Sequence, residues 1–289
     1  MSKKHPIIAV TGSSGAGTTK VKTAFEHIFH RQNISPVIVE GDSFHRYDRK
    51  EMKKKVNQAQ KERRNFSHFG FEANILKDLE NTFKIYGTTG KCKRRYYLHS
   101  KEEAAVYNQN PGEFTAWEDA GKGSDLMLYE GLHGAIINEQ HNINIAQHAD
   151  LKIGVVPIVN LEWIQKIHRD TAQRGYKPED VTDTILRRMR DYVNVITPQF
   201  SNTDINFQRV SLVDTSNPFI SRDIPTRDES MVVIRFSDYK ALDIDFPYLQ
   251  AMIKDSFMSR RNTIVVPGGK MQLAMEVILH PIIEKMLNK

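Results

Sequence analysis

Eight residues, Gly12-Ser13-Ser14-Gly15-Ala16-Gly17-Thr18-Thr19, limit what this chain can fold into more than any others. They follow directly on the apolar run Ile7-Ile8-Ala9-Val10. They precede a stretch in which Val21, Phe25, Ile28 and Phe29 share one helical face. A buried strand, a glycine-rich turn and a helix in that order form the frame of a phosphate-binding loop. Glycines let the backbone curl around an anion with its N–H groups inward, and the helix adds the positive end of its dipole. The plain alternative is a strand–helix turn that holds nothing. Thr19, at the position where a hydroxyl reaches Mg²⁺, weighs against it. The common pattern G-x-x-x-x-G-K-[ST] puts a lysine before that hydroxyl. Here Thr18 stands in its place. A phosphate site of this kind must draw its positive charge from elsewhere in the fold.

Further apolar runs at 37–40, 126–130, 151–157, 231–236 and 263–267 read as buried strands. Helical periodicity links Leu76, Leu79 and Phe83. It also links Val181, Ile185, Met189, Tyr192 and Ile196, and again Leu273, Val277 and Met286. Alternating strands and helices predict an α/β fold, a mixed and mainly parallel sheet flanked by helices. Such sheets bind ligands at the carboxyl ends of their strands. The 289 residues allow one large domain or two small ones, and we read 1–289 as one. The hydrophobic fraction of 39% and charged fraction of 26% are those of a soluble globular protein. No run is long enough to span a membrane and no signal-like segment opens the chain, so a cytoplasmic protein is expected. Cys92 is the one cysteine, which excludes an intrachain disulfide and a zinc site built from cysteines. A net charge of +6 suits an enzyme of anionic small molecules as well as a nucleic-acid binder. The basic residues between Arg46 and Arg64 read mainly as a solvated helix face. Residues 91–122 read as an excursion at the sheet's end.

Three clusters fall near the expected active edge. Asp42 follows the second strand within Glu40-Gly41-Asp42-Ser43-Phe44-His45-Arg46-Tyr47-Asp48-Arg49. A carboxylate there can take the proton of an attacking hydroxyl, with His45 and Arg49 holding an anion or sugar hydroxyls. Equally, Asp42 or Ser43 can simply cap a helix, on which His45 and Arg49 would share a face. Glu130 ends an apolar strand, the place of an acid that holds Mg²⁺ directly or through water. His133, just beyond it, reads as a structural or substrate-contact residue. After the strand at 151–157, Lys166, Arg169, Asp170, Gln173 and Arg174 form one helical stripe. Such a stripe is ordinarily a solvated face. At this edge Lys166 or Arg169 can instead neutralise a transferring phosphoryl group, which Thr18 cannot.

The segments GSSGAGTT, EGDSFHRYDR, LYEGLHG, VPIVNLEWIQKIHRD, PQFSNTDINFQRVSLVDTSNPF and VVPGGKM, in this order, resemble the bacterial, short-chain phosphoribulokinases of the phosphoribulokinase/uridine kinase family. The resemblance runs almost to Lys289, and the missing loop lysine resembles this bacterial branch too. It implies a fold like that of the nucleoside monophosphate kinases. It implies transfer from MgATP to D-ribulose 5-phosphate, giving ADP and ribulose 1,5-bisphosphate, a Calvin-cycle reaction. By resemblance Asp42 is the catalytic base, Asp170 a second essential acid suited to Mg²⁺, and Glu130 the strand-end acid. Lys166 replaces the loop cation. His45, Arg49, Arg169 and Arg174 match positions tied to the sugar phosphate. Arg31, Arg187, Arg188, Arg235 and Arg260 resemble arginines of effector response or subunit contact. The branch further implies a homo-oligomer, from dimer to octamer, activated by NADH and inhibited by AMP.

Two other readings compete. One is a related kinase of uridine or another sugar phosphate, although uridine kinases normally keep the loop lysine. The other is a nucleotide-sensing regulator, which would need no base at Asp42. A nucleic-acid module is disfavoured because the positive charge is interleaved with acids and no recognition motif appears.

Overall fold

The computed structural model describes residues 4–12, 18–221 and 223–287. Ser13, Ser14, Gly15, Ala16 and Gly17 of the glycine-rich turn lie outside the described residues, as do the side chains of Thr18, Thr19 and Arg174. Eight strands form the main sheet: β1 (Ile7–Thr11), β2 (Pro36–Glu40), β3 (Leu126–Gly131), β4 (Leu151–Pro157), β5 (Ile205–Ser211), β6 (Ser230–Phe236), β7 (Phe257–Arg260) and β8 (Thr263–Pro267). Their spatial order is β7-β8-β6-β5-β4-β1-β3-β2. The five strands from β2 to β5 run parallel, and β6, β8 and β7 continue the sheet antiparallel. This is the mixed, mainly parallel sheet expected from the sequence.

Burial on both faces explains the unbroken apolar strands. In β1, Ile8 and Val10 pack into one core with Phe25 and Ile28 of helix α1 (Thr18–Gln32). Ile7 and Ala9 pack into a second core on the other side, with Leu79, Phe83 and Tyr86 of helix α3 (Leu76–Thr89). A strand covered on both sides has no polar face, so its sequence shows no alternation. Between those helices lies α2 (Arg49–Lys61). Helix α4 (Val159–Arg174) follows β4, α5 (Pro178–Asp191) follows it, and α6 (Met271–Met286) closes the chain against α1.

Two strands escaped the apolar pattern. In β5, Ile205 and Phe207 are buried while Asn206 and Gln208 break the run. The edge strand β7 has four residues, most of them exposed. The periodicity through Ile196 does not belong to one α-helix. Helix α5 ends at Asp191, and a π-helical turn, Tyr192–Ile196, brings Tyr192, Val195 and Ile196 into the core. The segment 91–122 is an excursion, anchored by a small hairpin of Cys92–Arg94 with Glu118–Ala120.

Parallel register sends β1, β2, β3 and β4 out at the same edge. Glu40 pairs with Glu130 and Thr11 with Gly131. The joint there is a glycine contact. A Cβ on Gly131 would lie 2.6 Å from the Gly41 Cα and 2.6 Å from the Tyr129 hydroxyl. Backbone touches backbone, and the buried tyrosine fills the space beside it. Gly131→Ala should therefore destabilise the protein by roughly 1–3 kcal/mol, an overpacking cost. Urea unfolding measures this, and a change under about 0.5 kcal/mol would mean that the joint is not tight.

Candidate active site

Past the joint, the chain turns through a short 3-10 segment, Gly41–Phe44, that carries Asp42. Asp42 caps no helix. Asp48 caps α2, accepting the Glu51 N–H at 2.7 Å. The helix-capping alternative therefore fails, and His45 and Arg49 do not share a helical face, because His45 is extended and α2 begins only at Arg49.

The Asp42 carboxylate instead lies between two imidazoles. His45 Nε2 is 3.2 Å from Oδ1 and His99 Nε2 is 3.3 Å from Oδ2. The protonation of His45 follows from its other nitrogen. Asn74 donates its amide hydrogens to the carbonyls of His68 (2.8 Å) and Gly70 (2.7 Å). Its Oδ1 is thus left to accept from His45 Nδ1 at 2.7 Å. With both ring nitrogens donating, His45 is an imidazolium. Burial by itself would lower the His45 pKa, but the hydrogen bond and charge of Asp42, with help from Asn74, raise it. Burial by itself would raise Asp42, yet the hydrogen bonds and charges of His45 and His99 hold it well below the ordinary carboxylate range. Asp42 is ionised at any working pH while its side chain remains 39% exposed, open to a substrate.

Opposite stands α4. Asp170 is buried, its side chain 6% exposed, and it pairs with Lys166 one turn earlier. Arg169 reaches the other carboxylate oxygen at 2.9 Å. Burial, and then the charge of Arg188, pull the Lys166 pKa down to about 8, with Asp170 opposing. Lys166 and Arg169 on one acid, with the charge of Arg188 felt at Lys166, leave net positive charge at this edge.

The segment 65–74 joins the halves. Asn65 and Ser67 each donate to Asp191 at 2.6 Å, and Arg187 donates to the Phe66 carbonyl at 3.2 Å. His133 Nε2 donates to the Phe69 carbonyl at 3.0 Å. Burial lowers the His133 pKa to about 4, so this histidine is neutral and structural. Arg188 lies over the Phe69 ring, 5.4 Å from its centroid, and its charge is felt at Lys166, His45 and His68. Burial first, and then the charges of His45 and Arg188, keep His68 well below its usual pKa. A neutral ring thus sits in the middle of a cationic cluster.

Arg49 donates to the His99 carbonyl at 3.0 Å, which places it at the mouth of the Asp42 cluster. The five arginines grouped as effector or interface residues divide. Arg187 and Arg188 stand at the site. Arg31 pairs with Glu276 at 2.6 Å where α1 meets α6. Arg235 and Arg260 are exposed and flank Thr263 on the antiparallel side of the sheet. Sequence reasoning missed His99 and Asn74. Neither belongs to a motif, and each arrives through a loop.

Known proteins can now be set beside this geometry. Residues 7–216 match the model of the phosphoribulokinase / uridine kinase family. The chain belongs to that family. The chromosomal phosphoribulokinase of Cupriavidus necator is 60% identical, with 100% of this chain and 98% of that protein covered. That of Xanthobacter flavus is 61% identical over the same shares. The solved phosphoribulokinase from Rhodobacter spheroides superposes with a TM-score of 0.90 at 56% identity, covering 99% of each chain. This family member is therefore a kinase with the P-loop kinase fold.

Only protonated Lys166 carries charge, so kcat/KM for ATP should fall as pH rises through about 8. Lys166→Arg should move that limb beyond pH 10 or so, because guanidinium stays charged. A pH–rate profile unchanged by the substitution would place the limb on another group.

Proposed function

We propose that this protein is an ATP-dependent phosphoribulokinase, phosphorylating D-ribulose 5-phosphate at its C1 hydroxyl to give ribulose 1,5-bisphosphate and ADP. The observation that carries this reading is the Asp42 carboxylate between His45 and His99, at the strand edge where β1 ends at Thr11. Full-length similarity to phosphoribulokinases supports the acceptor.

Asp42 accepts the hydrogen of the C1 hydroxyl and aims its oxygen. As the bond from the γ-phosphorus to the β-γ bridging oxygen breaks, the bond to the C1 oxygen forms. The proton passes to Asp42. A carboxylate with so low a pKa is a weak base, which suits a loose transition state in which the nucleophile loses its proton late. Lys166 supplies the charge that Thr18 cannot and stabilises the γ-phosphoryl oxygens. The backbone of Gly12, Ser13, Ser14, Gly15, Ala16, Gly17, Thr18 and Thr19 cradles the ATP phosphates. Glu130, Asp170 and Thr19 would hold Mg²⁺. Carboxylate and hydroxyl oxygens are the ligands Mg²⁺ prefers, and Glu130 ends its strand in register with Glu40. Bound with ATP, that ion offsets the charge of the β- and γ-phosphates. His45, Arg49, Arg169 and Arg174 receive the acceptor and its phosphate, for which forked, charge-assisted contacts are suited.

Regulation completes the reading. Arg31, Arg235 and Arg260, remote from the Asp42 cluster along the chain's elements, serve effector binding or contact between subunits of a homo-oligomer, with NADH as activator and AMP as inhibitor. The protein acts in the cytoplasm. Among the described residues no helix is long and apolar enough to cross a membrane. Burial raises the Cys92 thiol to about 11, so it stays protonated and unreactive.

Purified protein with MgATP should release ADP fastest with ribulose 5-phosphate among pentose phosphates and uridine. Release led by uridine would overturn the assignment. Asp42→Ala should retain ATP binding and lose kcat by about 10²–10⁴. Near wild-type turnover in that variant would remove Asp42 from the chemistry. NADH should raise the rate, AMP should lower it and dithiothreitol should leave it alone. Arg31→Ala should blunt the NADH response without lowering basal kcat, whereas Arg188→Ala should lower basal turnover. Equal behaviour of the two variants would contradict the division of the arginines.

A further inference from the structure

The turn that carries Asp42 is short and is held by its surroundings: Ser43 Oγ donates to the Glu40 carbonyl, and the Ile75 N–H donates to the Phe44 carbonyl at 2.8 Å. Gly41–Phe44 is a single 3-10 turn, closed by one backbone bond from His45 N to Asp42 O at 3.2 Å. So short a segment does not keep its shape unaided. Its aim nevertheless decides where both Asp42 and His45 point.

A charged tie to the same turn comes from the excursion, on two of its carbonyls at once. Arg95 donates from Nε to the Ser43 carbonyl at 2.7 Å and from Nη2 to the His45 carbonyl at 2.8 Å. Both distances are short for N–H···O bonds, as expected of a cationic donor. The guanidinium is itself held. Its carbon lies 3.8 Å from the Phe114 ring centroid and 4.7 Å from that of Trp117. Trp117 in turn meets Phe44 edge-on at 5.6 Å, and Phe44 is fully buried. A flat cation between two aromatic faces has few alternative positions. The backbone around it is also tied. Leu98 N–H donates to Glu113 O at 3.0 Å, and Arg49 N–H to Gly112 O at 2.9 Å. Arg95, His99 and the Arg49 anchor therefore belong to one rigid piece.

We propose that Arg95 is a positioning residue, whose forked cation fixes the Gly41–Phe44 turn from behind and so sets the aim of Asp42 and His45 at the acceptor hydroxyl. It touches neither substrate nor reacting atoms. Lysine cannot take its place, because one ammonium does not span two carbonyls in a fixed fork. The inference rests on the assignment of Asp42 as base in the reaction proposed above.

The test uses the full-length protein, MgATP and ribulose 5-phosphate. Arg95→Ala should lower kcat by about 10²-fold, the scale of a misplacement near 1 Å, and leave the KM for ATP within about twofold. Arg95→Lys keeps a cation between the rings and should fold even if the alanine variant does not. It should still lose about tenfold in kcat. Guanidinium ion added to Arg95→Ala should recover about fivefold or more of the lost kcat and should do nothing for Asp42→Ala. A kcat within about threefold of wild type in Arg95→Lys would overturn the proposal. So would a loss in Arg95→Ala that guanidinium does not relieve and that KM for ATP follows in proportion. Wild-type protein inactive on ribulose 5-phosphate would sink the assigned reaction itself. Active wild type with fully active Arg95 variants would sink only the role of Arg95.

Discussion

Parallel pairing of β2, β3, β1 and β4 is the constraint from which the rest follows. It delivers Gly12, the Asp42 turn, Glu130 and the start of α4 to one edge of the sheet. The pairing holds only because both faces are covered, by α1 and α6 on one side and α3 on the other. At the edge the loops must leave almost in contact. Gly41 against Gly131 allows this, where any side chain would push the acidic strand ends apart. Chemistry at the rim thus depends on packing a few ångströms below it.

Charge is the second organising quantity. The glycine-rich loop lacks its own lysine, and cations gather instead on helix α4 and beside it. Lys166 and Arg169 are held against the buried Asp170, and Arg188 reaches the same region from α5. Like charges so close would repel. Asp170 offsets part of that, while burial first and the charge of Arg188 second lower the Lys166 pKa. On the other side, His45 is charged because Asn74 and Asp42 both accept from it, and the neutral His68 ring lies 5.0 Å from it, centroid to centroid. The edge is over-supplied with cations, a field that suits anionic ligands.

Much of this could be read from residues near one another in sequence. The Gly12 turn, Asp42, Glu130 and the Lys166–Asp170 stripe all follow buried strands, and a strand's end marks the edge without knowledge of its neighbours. Strand β5 was less legible because Asn206 and Gln208 interrupt its apolar pattern. The π turn at Tyr192–Ile196 was hidden because a buried face looks alike in either helix. His99, Asn74 and Arg95 gave no local sign. Their partners lie 57, 29 and 52 residues away, at Asp42, His45 and Ser43, and loop contacts of that span leave no periodicity.

From sequence alone came the sheet, the family and the acids at the strand ends, because each is written in short-range pattern and spacing. Tertiary structure decided the rest. It showed that Asp48 and not Asp42 caps α2 and that His45 is doubly hydrogen-bonded. It also showed that Arg187 and Arg188 face the site while Arg31, Arg235 and Arg260 do not. The reason is physical. A residue's type sets which bonds it can make, but its protonation and role are set by what the fold brings within about 3 Å of it, and that neighbour is usually far along the chain.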